Sequence, residues 1–328
     1  MDLKKARKIL YFIASIYWLL VLMIYFINFN KLKNEELEGI FWIIVLSIFA
    51  VASIYSIWGY LRGKKGKNNL VISFLTLCTK YSSLLGQLVN RDFKIKYKRS
   101  ILGVAWSFIN PLLMMLVQYI VFSTLFKSDT ANYPVYLLSG TVLFTFFNEA
   151  SGFGLTSITS NSNLIKKVYI PKYIYPLSKL ISSLINLGIS MFLLAIIMVI
   201  TKCPFTINLF LLIFDLACFI IFTFGVILIL STLNTFFQDV AFLWSVISMV
   251  WMYLTPIFYT ERIIPQKFLA LYHANPLYQY INFARICIID GQAPNMICYI
   301  YCLVPAVIML VLGLTVFKWK QNKFVLYL

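Results

Sequence analysis

The chain has 328 residues, of which 61% are hydrophobic and 12% are charged, and its mean hydropathy is +0.86. A soluble domain is about 45–50% apolar and about 25% charged, so the composition excludes an ordinary soluble protein and predicts a polytopic membrane protein. The net charge of +17 would suggest nucleic acid in a soluble chain. Here the cations lie in short segments beside apolar runs, as the positive-inside rule describes.

Eight apolar runs are long enough to cross a bilayer, which takes about 20 residues of helix. In chain order the predicted spans are Ile9–Phe29, Gly39–Leu61, Ile101–Phe126, Pro134–Ser157, Leu180–Ile200, Leu209–Leu233, Phe242–Tyr259 and Met296–Phe317. We interpret the first as a retained signal anchor, because its apolar run is long and no A-x-A site follows it. With a cytoplasmic N-terminus, the inner segments carry 21 Lys and Arg and the outer segments carry 7. This excess predicts that both termini are cytoplasmic.

The sequence predicts an all-α membrane protein in three parts. Residues 1–69 are a two-helix N-terminal extension that ends in the basic linker RGKKGKNN. Residues 70–100 are an amphipathic helix in the cytoplasmic interface followed by a basic segment, since leucines recur along one helix face. Residues 101–328 are a six-helix body. In this body, residues 260–295 on the outer side contain apolar pieces too short to span, which predicts short helices dipping into the membrane.

The residues needed for catalysis or metal binding are scarce. The single histidine, His273, lies far in sequence from the paired Cys298 and Cys302, and the carboxylates are scattered. No G-x-x-x-x-G-K-[ST] phosphate loop occurs, so the chain is not expected to hydrolyse ATP by itself. We therefore expect no catalytic residue, no metal and no cofactor in this chain. A membrane-embedded glycosyltransferase stays an alternative, although it would usually need clustered carboxylates.

Two acidic residues, Glu149 and Asp215, fall inside predicted spans. A carboxylate is costly to place in lipid, so one found within a span is by default a candidate for a functional role. Glu149 is therefore a candidate for pore lining or gating, although either acid could instead be capped by polar groups of neighbouring helices. Neither has a histidine or basic partner nearby in sequence, which disfavours an ion-coupled carrier.

Aromatic residues make up 17% of the chain, and some are candidates for a pore that sugars stack against. The alternative is that they pack in the core or face lipid. The candidates are Phe144, Phe146, Phe147, Tyr253 and Tyr259.

The stretch NSNLIKKVYIPKYIYP, Asn161–Pro176, is too polar to span and too apolar for a plain solvated loop. By the charge distribution it faces the cytoplasm.

Several ordered motifs make the chain resemble the permease subunits of type-2 ABC exporters of polysaccharides, the family that exports O-antigens, capsules and teichoic acids on lipid carriers. The motifs extend from about Leu70 to Leu328: RDFKIKYKRSILGVAWSFINPLLMMLVQYIVFSTLF, YLLSGTVLFTFF, NSNLIKKVYIPKYIYPLSKLISSLIN, FFQDVAFLWSVISMVWMYLTPIFY, NPLYQYINFAR and the tail FKWKQNKFVLYL.

The resemblance implies a homodimer in the plasma membrane, with each copy docking one cytoplasmic ATPase that binds ATP and Mg²⁺. It implies that Asn161–Pro176 holds a coupling helix inserted into the ATPase, with prolines that stiffen the joint to the next span. The implied coupling residues are Asn163, Leu164, Ile165, Lys166, Lys167, Val168, Tyr169, Pro171 and Asp239. The residues implied to bind an anionic headgroup or pyrophosphate at the substrate entrance are Arg91, Lys94, Lys96, Lys98 and Arg99.

Three features depart from the family pattern. Gln238–Asp239 stands where Arg–Asp is common, Leu143–Phe147 lacks a frequent tryptophan, and the two N-terminal spans are additional to the usual six. The alternatives that stay open are an exporter of a small drug, lipid or peptide with the same architecture, and a non-transporting scaffold. For Asn161–Pro176 the alternative is an interfacial loop without a partner, and for the basic entrance segment it is ordinary positive-inside charge.

Overall fold

The computed structural model describes residues 81–97, 100, 102–126, 132–168, 170–260 and 265–328. The predicted spans Ile9–Phe29 and Gly39–Leu61 lie outside the described residues, as does the first part of the predicted interfacial helix. The chain divides into two compact units, Met1–Gln87 and Leu88–Leu328. The second unit holds the predicted six-helix body.

Within these ranges all regular structure is helical, which confirms the predicted all-α class. The α-helices are α1 (Ser82–Tyr97), α2 (Trp106–Phe126), α3 (Tyr133–Leu155), α4 (Ser162–Lys167), α5 (Ile174–Ile200), α6 (Leu212–Phe236), α7 (Val240–Leu254), α8 (Gln266–His273), α9 (Pro276–Ile288), α10 (Met296–Lys320) and α11 (Phe324–Tyr327). Short 3-10 turns precede α2, α4 and α6 and join α10 to α11.

Each of the six predicted spans in the described part of the chain matches one helix, with ends that agree within six residues. Four helical stretches there are long and apolar enough to cross a membrane: Gly103–Phe122, Ile174–Ile200, Ile207–Phe236 and Met296–Tyr327. Helix α3 has 23 residues but carries more polar side chains, and α7 has only 15. The number of membrane crossings therefore stays a prediction.

The largest boundary difference in the second half of the body is at α7, which ends at Leu254 instead of continuing to Tyr259. Thr255 has extended backbone, with φ −101° and ψ 126°. The following residue is Pro256, whose ring disfavours helical backbone at the preceding position. The proline thus ends the helix inside an apolar run that hydropathy alone reads as continuous.

The outer segment predicted to hold short helices contains α8 and α9. Helix α9 starts at Pro276, which needs no amide partner in the first turn. The side chain of Asn275 accepts a hydrogen bond from the Leu277 amide at 3.1 Å, so the start of the helix is capped. Most of α9 is buried against the rest of the unit, while the depth of both helices in a membrane stays a prediction.

Helices α6 and α10 form the closest crossing of the bundle, and two glycines permit it. A Cβ placed on Gly225 would overlap the backbone carbonyl of Met309, and one placed on Gly313 would overlap Gly225 itself. Small residues at a crossing let two helix backbones approach and pack in lipid, where no hydrophobic force drives helices together. This contact fixes the last spanning helix against the centre of the unit.

An aromatic cluster fills the space between α3, α6, α7 and α9. The ring of Phe147 lies 5.4 Å from that of Trp251 and 6.1 Å from that of Phe222. Phe219 lies 5.1 Å from Tyr280. Ring pairs at these separations add favourable edge and offset contacts to the burial of area, so the cluster is the core on which these helices converge.

The glycine crossing generates the first prediction. In Gly225→Ala the added methyl group meets backbone atoms of α10, which cannot move aside as a flexible side chain can. The two helices must separate, so we expect the free energy of unfolding to fall by about 2 kcal/mol. The thermal midpoint of the purified protein in detergent is the measurement.

The matched control is Gly188→Ala in α5, where an added Cβ meets nothing within 4 Å. There the better helix propensity of alanine should leave the midpoint unchanged or raise it. Equal effects of the two substitutions would show that the α6–α10 crossing is not close-packed.

Candidate functional site

The segment Asn161–Pro176 forms a short helix followed by a proline-containing joint. Helix α4 covers six residues, Ser162–Lys167. Val168 then has extended backbone, Pro171 lacks an amide donor, and α5 begins at Ile174. The helix is thus shorter than the predicted segment, because extended backbone and a proline end it.

Helix α4 presents one face outward and one face to its own chain. Leu164 is 37% exposed and Val168 51%, whereas Ile165 is only 9% exposed. The side chains of Asn163, Lys166 and Lys167 are exposed as well. Ile165 therefore anchors the helix and leaves an apolar and basic face free for contact, while Tyr169 lies outside the described residues. Contact with an ATPase stays a prediction.

The second predicted cytoplasmic loop, between the spans Leu209–Leu233 and Phe242–Tyr259, is only three residues long in the structure. Phe237, Gln238 and Asp239 join α6 to α7 and are all exposed. Asp239 occupies the N-cap position of α7, but its side chain makes no capping hydrogen bond. Its carboxylate is therefore available at the surface for another partner.

Arg91 and its neighbour Asp92 tie the predicted entrance helix α1 to the coupling segment. Arg91 Nη2 donates to Asn161 Oδ1 at 3.1 Å and lies 3.0 Å from Asp92 Oδ1. The other oxygen of Asp92 lies 2.8 Å from Lys179 Nζ on α5. Asn161, the N-cap residue of α4, is buried and also donates to the Ser157 carbonyl. These bonds connect α1, α4 and α5 at one end of the bundle.

Further along α1, Lys96 makes a partly exposed ion pair with a residue of α3. Its Nζ lies 2.9 Å from Glu149 Oε1 on α3, and Asn186 on α5 donates to the same oxygen. Ser107 on α2 completes the network by donating to Asn186 Oδ1 at 3.2 Å. The expectation that Glu149 has no basic partner was wrong, because its partner is 53 positions away in sequence.

The network borders a cavity of about 190 Å³ between α1, α2, α3 and α5. Its walls combine an ion pair, amides and hydroxyls with apolar and aromatic surface: Lys96, Trp106, Ser107, Asn110, Pro111, Val142, Thr145, Phe146, Glu149, Asn186, Leu187 and Ser190. Such a lining can hold a group that carries both hydrogen-bonding oxygens and an apolar face.

Of the other cations predicted at the entrance, the structure describes one and leaves two outside its described residues. Lys94 is exposed on α1, whereas Lys98 and Arg99 lie outside the described residues. Arg91 and Lys96 are already engaged with carboxylates of this chain. An anionic ligand would therefore compete with Asp92 or Glu149 for these two cations.

The predicted pore aromatics separate into two groups. Phe144, Phe146 and Phe147 are 6%, 3% and 0% exposed, and their rings contact other rings of the same chain. In the single chain the aromatic core encloses Phe144 and Phe147, while Phe146 lines the cavity beside Glu149, and a pore-lining role for the three rings stays a prediction. Tyr253 is 61% exposed, and the Tyr259 hydroxyl donates to its carbonyl at 2.8 Å. Pore lining by Glu149, Tyr253 and Tyr259 stays a prediction.

Asp215, the second acid in a predicted span, is fully buried. The thiol of Cys302 on α10 donates to its Oδ1 at 3.5 Å, and Tyr280 on α9 donates to the Cys302 carbonyl at 2.8 Å. These contacts place Asp215 in the packing between α6, α9 and α10 and away from the surface of the unit.

Arg285 on α9 forms a buried corner at the opposite end of α3. Its guanidinium donates to the carbonyls of Pro256 at 2.7 Å, Ile257 at 2.9 Å and Tyr136 at 3.1 Å. It also stacks 3.4 Å from the centre of the Tyr136 ring. Gly140 leaves room for the Arg285 guanidinium, since a Cβ at position 140 would lie 2.7 Å from its Nη2. Arg285 thereby fixes the chain just after α7, where the helix is broken.

The sequence reasoning missed Arg285, Asn186 and Lys179 as site residues. Arg285 was counted as an outer charge, although it lies within the quoted motif NPLYQYINFAR, in an apolar stretch. Asn186 is a polar residue within a predicted span, a signal equivalent to the one that selected Glu149.

Comparisons with known proteins match most of this unit. The model of the ABC-2 type transporter family matches residues 83–289. The O-antigen export system permease protein RfbA of Klebsiella pneumoniae is 31% identical over 243 residues, which cover 74% of this chain and 93% of that protein. RfbA of Myxococcus xanthus is 26% identical, covering 74% and 95%. The capsule polysaccharide export inner-membrane protein CtrC of Neisseria meningitidis is 25% identical over 201 residues, covering 60% and 75%.

The Lys96–Glu149 pair generates the second prediction. In a double-mutant cycle, Lys96→Met and Glu149→Gln should each lower the thermal midpoint. The double variant should lose less than the sum, with a coupling of about 1 kcal/mol, since each single change leaves one partner unpaired.

Lys94→Met, on the exposed side of the same helix, is the control partner. Combined with Glu149→Gln it should show additive effects. Additivity in the Lys96 cycle as well would mean that the ion pair does not hold α1 to α3.

The third prediction concerns the buried corner. Arg285→Lys keeps the charge but loses the planar fork that reaches three carbonyls and stacks on Tyr136. We expect a loss of about 2 kcal/mol or more, because buried carbonyls lose their donor, and measure it as the thermal midpoint in detergent.

Lys267→Arg on the exposed α8 is the reciprocal control and should leave the midpoint unchanged. If Arg285→Lys has the same thermal midpoint as the wild type, the hydrogen bonds of the Arg285 guanidinium do not stabilise this region as assigned.

Proposed function

The chain belongs to the ABC-2 type transporter family, and we propose that it is the permease subunit of an ATP-driven exporter of polysaccharide. The observation that carries the proposal is the similarity to O-antigen export permeases along 93% of the relative's length. The capsule exporter CtrC supports the same substrate class. Membrane-spanning helices and family together support a multi-pass protein of the bacterial inner membrane. We propose that both termini lie in the cytoplasm, because Lys and Arg are in excess in the segments predicted to be inner.

The proposed partner is a separate ABC ATPase that binds ATP and Mg²⁺. The exposed face of α4 supports a docking role, because Leu164 and Val168 give it apolar contacts and Lys166 and Lys167 give it charge. Asp239 on the second loop would add a polar contact. The short joint through Pro171 to α5 would transmit a movement of the ATPase directly into a spanning helix.

We propose further that two copies assemble as a homodimer with the polymer passing between them. Support comes from α2 and α7, whose apolar faces are exposed in the single chain. Val117 and Ile120 on α2 are 57% and 63% exposed, and Phe242 on α7 is 76% exposed. A second copy or lipid must cover these faces. Tyr253 and Tyr259 would then border the passage and stack on sugars.

At the cytoplasmic rim, α1 is the proposed entrance for a lipid-linked substrate. Lys94 would meet an anionic headgroup first. The cavity behind α1 would receive a phosphate group that replaces Glu149 as the partner of Lys96, because phosphate and carboxylate are both anionic hydrogen-bond acceptors. Two of the entrance cations, Arg91 and Lys96, thus have internal partners before substrate arrives.

Depletion of the chain in its native cell tests the substrate class. We expect surface polysaccharide to fall while lipid-linked polysaccharide accumulates on the cytoplasmic side, and both are measured by blotting of fractionated cells. Unchanged surface polysaccharide combined with lost efflux of a drug, lipid or peptide would move the assignment to a small-substrate exporter.

The fourth prediction tests the coupling helix. With its cognate ATPase subunit co-expressed, the chain carrying Leu164→Ala and Lys166→Glu should recover about tenfold less ATPase than the wild type, as expected when a hot-spot contact is removed. The amount of co-purified ATPase per permease is the measurement.

Lys267→Glu, which reverses an exposed charge on the predicted outer side, is the matched control and should recover the normal amount. Full recovery by the coupling variant would place the main ATPase contact elsewhere, with the loop at Asp239 as the next candidate.

A further inference from the structure

The C-terminal tail, Gln321–Leu328, is a motif that the proposed function does not yet use. It lies beyond the family match at residues 83–289. Helix α10 alone has 25 residues, and a helix of about 20 suffices to cross the hydrocarbon core. The tail, a 3-10 turn followed by α11, therefore extends past the part of the chain that a membrane crossing requires.

Phe324 anchors the tail to the helix bundle. Its side chain is fully buried, and its ring lies 5.3 Å from Phe317 on α10 and 5.8 Å from Phe236 at the end of α6. The ring of Tyr327 also lies against Phe236, at 4.8 Å. An aromatic residue buried in this way holds the chain in one position, so the tail is a packed element next to the loop that begins at Phe237.

Lys172 ties the tail to the joint that follows the coupling helix. Its Nζ donates to the Gln321 carbonyl at 2.6 Å and lies 5.7 Å from the centre of the Phe324 ring. Burial lowers the pKa of Lys172, the direction expected for a cation taken partly out of water. A cation on a carbonyl just past the end of α10 is also favourable with the helix dipole.

The side of the tail that does not pack is apolar and borders the coupling helix. Leu326 is 81% exposed, Tyr327 58% and Val325 45%. Helix α11 contacts α4, and the exposed apolar residues there are Leu164 in α4 and Val168 directly after it. The two short helices thus form a continuous apolar surface, and exposed lysines edge it: Lys166, Lys167 and Lys323.

We propose that the tail is a second docking element for the ATPase subunit, fixed to the coupling helix through Lys172 and Phe324. The inference rests on the proposed function. The complementary ATPase surface would be an apolar cleft with an acidic rim, into which Leu326 inserts beside α4.

The position of the tail favours a protein partner over the bilayer surface. The tail contacts Lys172, which follows the first predicted cytoplasmic loop helix, and Phe236, which precedes the second loop. It thus contacts residues next to both loops that the ATPase is proposed to touch. A partner that covers both loops covers the tail as well.

Co-purification in detergent with the co-expressed cognate ATPase tests the proposal. Leu326→Glu places a negative charge at a site that is exposed in the free chain, so folding should be unaffected. We expect about tenfold less ATPase per permease, the effect of losing a hot-spot side chain, with the same yield and elution volume of the permease. Leu326→Met, which keeps the apolar contact, should recover the wild-type amount.

Phe324→Ala tests the anchor separately. It should also lower ATPase recovery, because α11 no longer holds its place beside α4. Its thermal midpoint shows whether the bundle itself stays folded.

Each other outcome overturns the inference. Normal recovery with Leu326→Glu but loss with Lys166→Glu would leave α4 as the docking element and exclude the tail. Normal recovery in detergent with a loss confined to nanodiscs containing anionic lipid would assign the tail to the membrane surface. If the wild-type chain recovers no ATPase, both the proposed function and the proposed docking role of the tail are overturned.

Discussion

A carboxylate placed among apolar helices needs polar partners, and Glu149 has them on two other helices of the chain. Lys96 supplies the charge and Asn186 a hydrogen bond. Because an unpaired charge in such a place is costly, the pair holds α1 against α3 and α5 at the cavity that both residues line. The rim of the bundle is organised around this contact.

The two ends of α3 are held by different forces. At one end, Lys96 and Glu149 form a partly exposed ion pair. At the other, Arg285 has three backbone carbonyls and a tyrosine ring as partners, which stabilise a cation without a carboxylate. An anionic ligand can compete with Glu149 for Lys96. The partly exposed ion pair is open to such competition, whereas the buried contacts of Arg285 with backbone carbonyls are not. This difference suits the proposed substrate entrance at one end of α3 and a fixed contact at the other.

At the end of the bundle proposed to face the ATPase, elements from distant parts of the sequence meet. Arg91 of α1 binds the start of α4, and Lys172 after α4 binds the tail that follows α10. A displacement of α4 is thereby connected to α1, α5 and α10 by single polar contacts. This arrangement agrees with a subunit in which a force applied at one short helix moves several spanning helices.

The all-α class and the positions of the helices in the described chain could be predicted from the sequence, since apolar run length and prolines act locally. Which side chains meet depends instead on the tertiary fold. Glu149 and Lys96 are 53 residues apart, and Arg285 and Tyr136 are 149 apart, so no spacing rule relates them. Likewise Phe147 and Tyr253 look equivalent in sequence, but helix crossings bury the first and expose the second, because burial depends on neighbouring helices and not on residue type.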